Sequence, residues 1–127
     1  MHKVLVSLGT NTDTCFNMKR ATDYLYSCFP NIRFTTVIKS EPCGANFKGP
    51  FLNSLAYFES KLTKEEIVLR FKSIEKKMGR LPSHKAEGIV IIDIDLIQWD
   101  NEVLKPEDLE RDYMSELLIQ VQDITNN

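Results

Sequence analysis

Gly88-Ile89-Val90-Ile91-Ile92-Asp93-Ile94-Asp95-Leu96-Ile97-Gln98-Trp99 is the stretch on which the fold of this chain turns. Its density of Ile and Val marks a strand. Strand side chains alternate, so Asp93 and Asp95 share one face while Ile92, Ile94 and Leu96 take the other. Aspartate is a poor strand former, and two carboxylates on one face repel. Compensation comes from a divalent cation, from neighbouring cations, or from open water. The i, i+2 spacing lets both carboxylates share a Mg²⁺ ion, which is commonly held by one or two carboxylates plus substrate phosphates. A solvent-facing edge of a half-buried sheet is the simpler alternative.

Upstream, a polar loop over residues 80–88 carries Arg80, His84 and Lys85 straight into this strand, a layout suited to a polyphosphate. Before the loop, Thr63 and Glu66 form a capping box, and Ile67, Phe71, Ile74 and Met78 line one helical face up to Gly79. Phe51 to Phe58 predicts a strand, Ser40 to Pro50 a Pro/Gly loop, and Ile32 to Ile38 a β-branched strand. Asp13 to Phe29 predicts a helix, with Phe16, Met18, Ala21, Tyr24, Leu25 and Cys28 at helical spacing and Pro30 as its stop. Lys3 to Leu8 is a strand closed by the turn Gly9-Thr10-Asn11. Downstream, Pro106 to about Asp123 predicts a final helix. The order β-α-β-β-α-β-α matches the split βαβ arrangement. The expected fold is α+β, a ferredoxin-like βαββαβ sandwich with an additional C-terminal helix, forming one domain over residues 1–127.

Composition agrees. A chain of 127 residues, 43% hydrophobic and 27% charged, is one globular domain rather than two large domains or a disordered chain. Its 16 Lys+Arg against 18 Asp+Glu leave a net charge of −2 and no basic stripe, which argues against nucleic acid as a partner. No run approaches the ~20 apolar residues that span a bilayer, so no membrane partner is expected. Cys15, Cys28 and Cys43 lack metal-type spacing, and an odd, unpatterned set suits the reducing cytoplasm.

A second polar group surrounds Ser40-Glu41-Pro42-Cys43-Gly44 and Phe51-Leu52-Asn53. The loop closing onto the strand makes a pocket wall in which Asn53 offers a paired donor and acceptor, and Phe51 a ring face. A core Phe and a strand-edge Asn are the plainer reading of the same residues.

In order, Leu8-Gly9-Thr10-Asn11, Ser40-Glu41-Pro42-Cys43-Gly44, Phe51-Leu52-Asn53, Ile74-Glu75-Lys76-Lys77-Met78-Gly79-Arg80 and Ile92-Asp93-Ile94-Asp95-Leu96 resemble the motifs of the 6-hydroxymethyl-7,8-dihydropterin pyrophosphokinase (HPPK) family. Asn101-Glu102-Val103 continues the match. The resemblance implies Mg²⁺-dependent transfer of diphosphate from ATP to a pterin alcohol, releasing AMP, in folate biosynthesis. It places two Mg²⁺ ions on Asp93 and Asp95, and the pterin on Ser40, Cys43, Phe51 and Asn53. Glu75 and Arg80 fall on the nucleotide side, with Arg80, Asp93 and Asp95 as the catalytic set; Lys85, from the cationic loop itself, is a further nucleotide-side candidate.

The chain also departs from the pattern. Pro82 and Val90 stand where the family has arginines, the Ala86-Glu87 region replaces a loop aromatic, and the C-terminal aromatic segment has no counterpart. Losing one guanidinium contact to a transition state costs about 2–4 kcal/mol, some 10²–10³ in rate. The expected activity is therefore impaired. The alternative is a non-catalytic relative that binds nucleotide or pterin as a regulatory module.

Overall fold

A computed structural model describes residues 1–42 and 47–125. Its strands are β1 (His2–Thr10), β2 (Arg33–Phe34), β3 (Ile38–Ser40), β4 (Phe51–Ser60), β5 (Asp93–Trp99) and β6 (Glu102–Val103). Its helices are α1 (Thr14–Cys28), α2 (Lys64–Lys77), α3 (Pro106–Leu109) and α4 (Met114–Thr125). The strands form one antiparallel sheet in the order β2-β4-β1-β5-β6, with β3 also paired to β4. This is the expected α+β, ferredoxin-like arrangement.

Alternation along the central strands divides the core in two. Val4, Val6 and Leu8 of β1 join Ala56 and Phe58 of β4 and Ile94 and Leu96 of β5 beneath α1 and α2. On the opposite face Leu5, Leu55 and Ile97 pack against Met114 and Leu117 of α4. The Thr63 capping box forms as expected: the Glu66 N–H donates to the Thr63 hydroxyl at 3.2 Å, and the Thr63 N–H to the Glu66 carboxylate at 3.1 Å.

Four expectations change in detail. The strand expected over 32–38 is two pieces whose register on β4 slips by one residue, from Phe34 opposite Ala56 to Ile38 opposite Asn53. The Thr35 hydroxyl causes the break by accepting the Leu55 N–H at 2.9 Å in place of a backbone carbonyl. The strand expected from Gly88 begins only at Asp93, because the ladder to β1 ends at the pair Gly9–Asp93 and β1 itself ends at Thr10. Phe16 is 64% exposed rather than buried, its ring lying under the Arg20 guanidinium. The C-terminal helix is split at residues 110–113, and this turn carries Arg111 and Tyr113 to the cleft while Met114 and Leu117 reach the sheet.

Candidate active site

The face of the sheet that α4 covers at one end is open at the other. There a cleft of about 600 Å³ lies between the sheet, the loop before β4, the 80–90 loop and the α3–α4 turn. Its floor is a cross-strand row: Asn53 pairs with Gly9, and Gly9 with Asp93. Two strand spacings of about 4.8 Å therefore separate the backbones of Asn53 and Asp93 by about 10 Å. A Cβ built on Gly9 would stand 3.7 Å from both Asn53 Oδ1 and the Phe51 ring, so glycine keeps the middle of the floor low.

At one end, Asn53 is only 6% exposed and its Nδ2 donates to the Ser40 hydroxyl at 2.6 Å. Phe51 stands beside them, edge-to-face with Phe47 at 5.1 Å between ring centroids. Ser40, Phe51 and Asn53 are thus brought together as the sequence suggests, and Phe47 is added. Cys43 lies outside the described residues.

At the other end, Asp93 and Asp95 face the cleft while Ile92, Ile94 and Leu96 are buried behind them. Burial, then the neighbouring Asp93 carboxylate, pushes the Asp95 carboxyl up to about 7. Two crowded carboxylates also offer an all-oxygen donor pair to a hard cation. Among the described residues they are joined by no third carboxylate, imidazole or thiolate at ligand distance. Such a pair suits Mg²⁺, whose remaining positions water and phosphate oxygens fill.

Arg80 and Glu75 hold this end in place. Arg80 Nη1 lies 3.0 Å from Asp93 Oδ1 and 3.0 Å from Glu75 Oε2, and it donates to the Ile92 carbonyl at 3.1 Å. Glu75, buried in α2, accepts the Ile94 N–H at 2.8 Å. Burial raises its pKa, which the Ile94 N–H and Arg80 only partly offset. Arg80 lines the cleft; Glu75 does not, and sits behind it as a brace between α2 and β5. His84 and Lys85 line the same wall, as do Pro82 and Val90.

Ser7, Asp108, Arg111 and Tyr113 also line the cleft, and sequence reasoning did not single them out. The alternation that places Leu5 under α4 also places Ser7 on the same face. Arg111, which pairs with Asp108 at 3.3 Å, offered no comparable signal, because its position depends on the helix break.

Comparison with known proteins shows the family. The family described as 7,8-dihydro-6-hydroxymethylpterin-pyrophosphokinase (HPPK) matches residues 5–123. The chain belongs to the HPPK family. It is 30% identical over 106 residues to the 2-amino-4-hydroxy-6-hydroxymethyldihydropteridine pyrophosphokinase of Aquifex aeolicus, covering 83% of this chain and 66% of that protein. To the Haemophilus influenzae protein of the same name it is 25% identical over 107 residues, covering 82% and 66%. The chain thus spans about two thirds of the length of these curated HPPK relatives. Among solved structures, the hypothetical protein ORF119 from Sulfolobus islandicus rod-shaped virus 1 is similar with a TM-score of 0.44 and 15% identity, over 92% of this chain and 83% of that one. At that distance the likeness has no bearing on function. Among the described residues no helix is long and apolar enough to cross a membrane.

Proposed function

We propose that this HPPK-family chain transfers diphosphate from ATP to 6-hydroxymethyl-7,8-dihydropterin and releases AMP. The observation that carries this reading is the cross-strand row Asn53–Gly9–Asp93, which puts a buried carboxamide and a carboxylate pair on one cleft floor. A pterin read at its edge by Asn53 and Ser40, with Phe51 at its ring, extends its hydroxymethyl group over Gly9 toward Asp93 and Asp95. There the hydroxyl oxygen bonds to the β-phosphorus, the bond from the α-phosphate bridging oxygen to that phosphorus breaks, and the electron pair leaves on AMP. The pterin hydroxyl proton passes to solvent or to a nearby carboxylate.

Asp93 and Asp95 are the residues to hold Mg²⁺, which when bound neutralises phosphate charge and stabilises the departing oxygen. Arg80, braced by Glu75, presents a guanidinium at a fixed point beside the carboxylates, and Lys85 adds a second cation from the same wall. The protein's work is positioning and electrostatic stabilisation, as in phosphoryl transfer generally.

A second reading has its own support. Pro82 and Val90 line the cleft with apolar groups at the two positions read as arginines in the family pattern. A site that binds nucleotide and pterin without turnover follows if those guanidiniums are indispensable. Measuring AMP formed from ATP and Mg²⁺ with and without the pterin alcohol separates the two. Pterin-dependent AMP supports the transferase; saturable binding of both ligands with AMP at background supports the binding module and overturns the transferase.

A further inference from the structure

Asn11, in the turn between β1 and α1, bonds three times to a segment far along the chain. Its backbone N–H donates to the Val90 carbonyl at 3.0 Å, and its Oδ1 accepts the Val90 N–H at 2.7 Å. Its Nδ2 donates to the Gly88 carbonyl at 2.9 Å. That same Gly88 oxygen accepts the Lys48 N–H, 3.1 Å away, from the loop entering β4. Gly88 has a φ of 71°, in the left-handed region that glycine adopts without strain. The Thr12 hydroxyl steadies the carboxamide by donating to Asn11 Oδ1 at 3.0 Å.

Both fastened segments are cleft walls. Lys48 lies between Phe47 and Phe51, and Gly88 between Lys85 and Val90, all four of which line the cleft. Asn11 is not among the lining residues. Only a carboxamide supplies the acceptor for Val90 and the donor for Gly88 together; a carboxylate there has two acceptors and no donor.

We propose that Asn11 is a positioning residue whose carboxamide fastens the Lys85-bearing loop directly and the Phe47–Phe51 wall through the Gly88 carbonyl. The width of the cleft is then set by a side chain that does not line it. Its effect on ligands rests on the function proposed above; the fastening itself does not.

The test uses Asn11→Asp and, should the added charge prevent folding, Asn11→Ala. Asn17→Ala is the control: Asn17 is buried in the same region and donates to the Thr12 carbonyl at 2.7 Å, but makes no bond to residues 88–90. Amide hydrogen exchange of the full chain without ligand is expected to speed up at Lys48 by tenfold or more in the Asn11 variants, and to stay near wild type there in Asn17→Ala. Calorimetry is expected to show Mg²⁺-ATP and the pterin alcohol both binding about tenfold more weakly to the Asn11 variants. Both dissociation constants stay near wild type in Asn17→Ala, whatever its loss in Tm. Unchanged Lys48 exchange in the Asn11 variants overturns the fastening. Ligand affinities that follow Tm equally in Asn11 and Asn17 variants overturn the positioning role. If the wild-type chain binds neither ligand, the proposed function fails, and Lys48 exchange alone still decides the fastening.

Discussion

The α4-side face of the sheet has two halves built from the same three strands. At one end Leu5, Leu55 and Ile97 lie under Met114 and Leu117 and are closed to water. Two or four residues along each strand, on the same face, stand Ser7 and Gly9, Asn53, and Asp95 and Asp93, all lining the cleft. Each strand leaves its aliphatic cluster where α4's cover ends, and Ser7, Asn53, Asp95 and Asp93 bring polar groups to the face there, beside Gly9 and the Phe51 ring. A helix extended over the whole face would bury polar groups without partners, which is costly. The helix break at residues 110–113 therefore marks the boundary between the half that is packed under α4 and the half that lines the cleft.

The sharpest way to break this division is to remove the carboxylates. Asp93→Ala/Asp95→Ala is expected to abolish Mg²⁺-dependent nucleotide binding and to lower AMP formation by about 10³ or more, while the fold persists. Calorimetry with ATP, with and without Mg²⁺, checks it. Equal affinity with and without both carboxylates removes the metal assignment.

The closed half is expected to answer in the opposite way. Leu117→Ala removes a fully buried side chain between α4 and the sheet and is expected to cost about 2–5 kcal/mol of stability. Ligand affinity of the folded protein should change little. Urea unfolding together with calorimetry on the folded fraction reads both. A large loss of affinity at constant stability would mean that the two halves are not separate.

How far this division could be read beforehand depends on what encodes each part. Period-two alternation put Asp93 and Asp95 on one face and their isoleucines on the other. The Pro/Gly loop closing onto a strand suggested a pocket wall with Phe51 and Asn53, but the bond from Asn53 to Ser40 needed the pairing of β3 with β4. The Thr63 cap is written within four residues. Other features depend on contacts between distant segments. The resemblance puts Glu75 on the nucleotide side, whereas its place behind the cleft shows only once β5 brings the Ile94 N–H to it, and Arg111 enters the cleft only because a helix expected to be continuous breaks. The slip at Thr35 arises when one hydroxyl outcompetes a backbone carbonyl for the Leu55 N–H. Phe16 satisfied the helical period yet faces water, because periodicity locates a stripe without fixing its edge.

Adding charge back to the open half is a milder change. Val90→Arg places a guanidinium on the wall that now carries a branched aliphatic side chain, and it is expected to raise pterin-dependent AMP formation by about tenfold. The Val90 backbone bonds to Asn11 do not involve the side chain and should survive. Unchanged turnover with intact nucleotide binding would place any deficit elsewhere in the cleft.

The smallest effect expected is on stability, and it distinguishes a functional carboxylate from a structural one. In the metal-free protein Asp95 has a pKa of about 7, against 3.8 for an ordinary aspartate, because burial and then Asp93 oppose its ionisation. A raised carboxyl pKa means that the folded state holds the proton more tightly than the unfolded state. Its contribution to stability is full below about pH 4 and is lost as pH rises toward 7. In EDTA at pH 8, Asp95→Asn should therefore melt above wild type by about 2–5 °C, with the gap closing on acidification. Mg²⁺ should raise the wild-type Tm at pH 8 and leave the variant unmoved. A residue kept for the fold would not cost stability at neutral pH, so a variant no more stable than wild type in EDTA would place Asp95 with the closed half of the sheet.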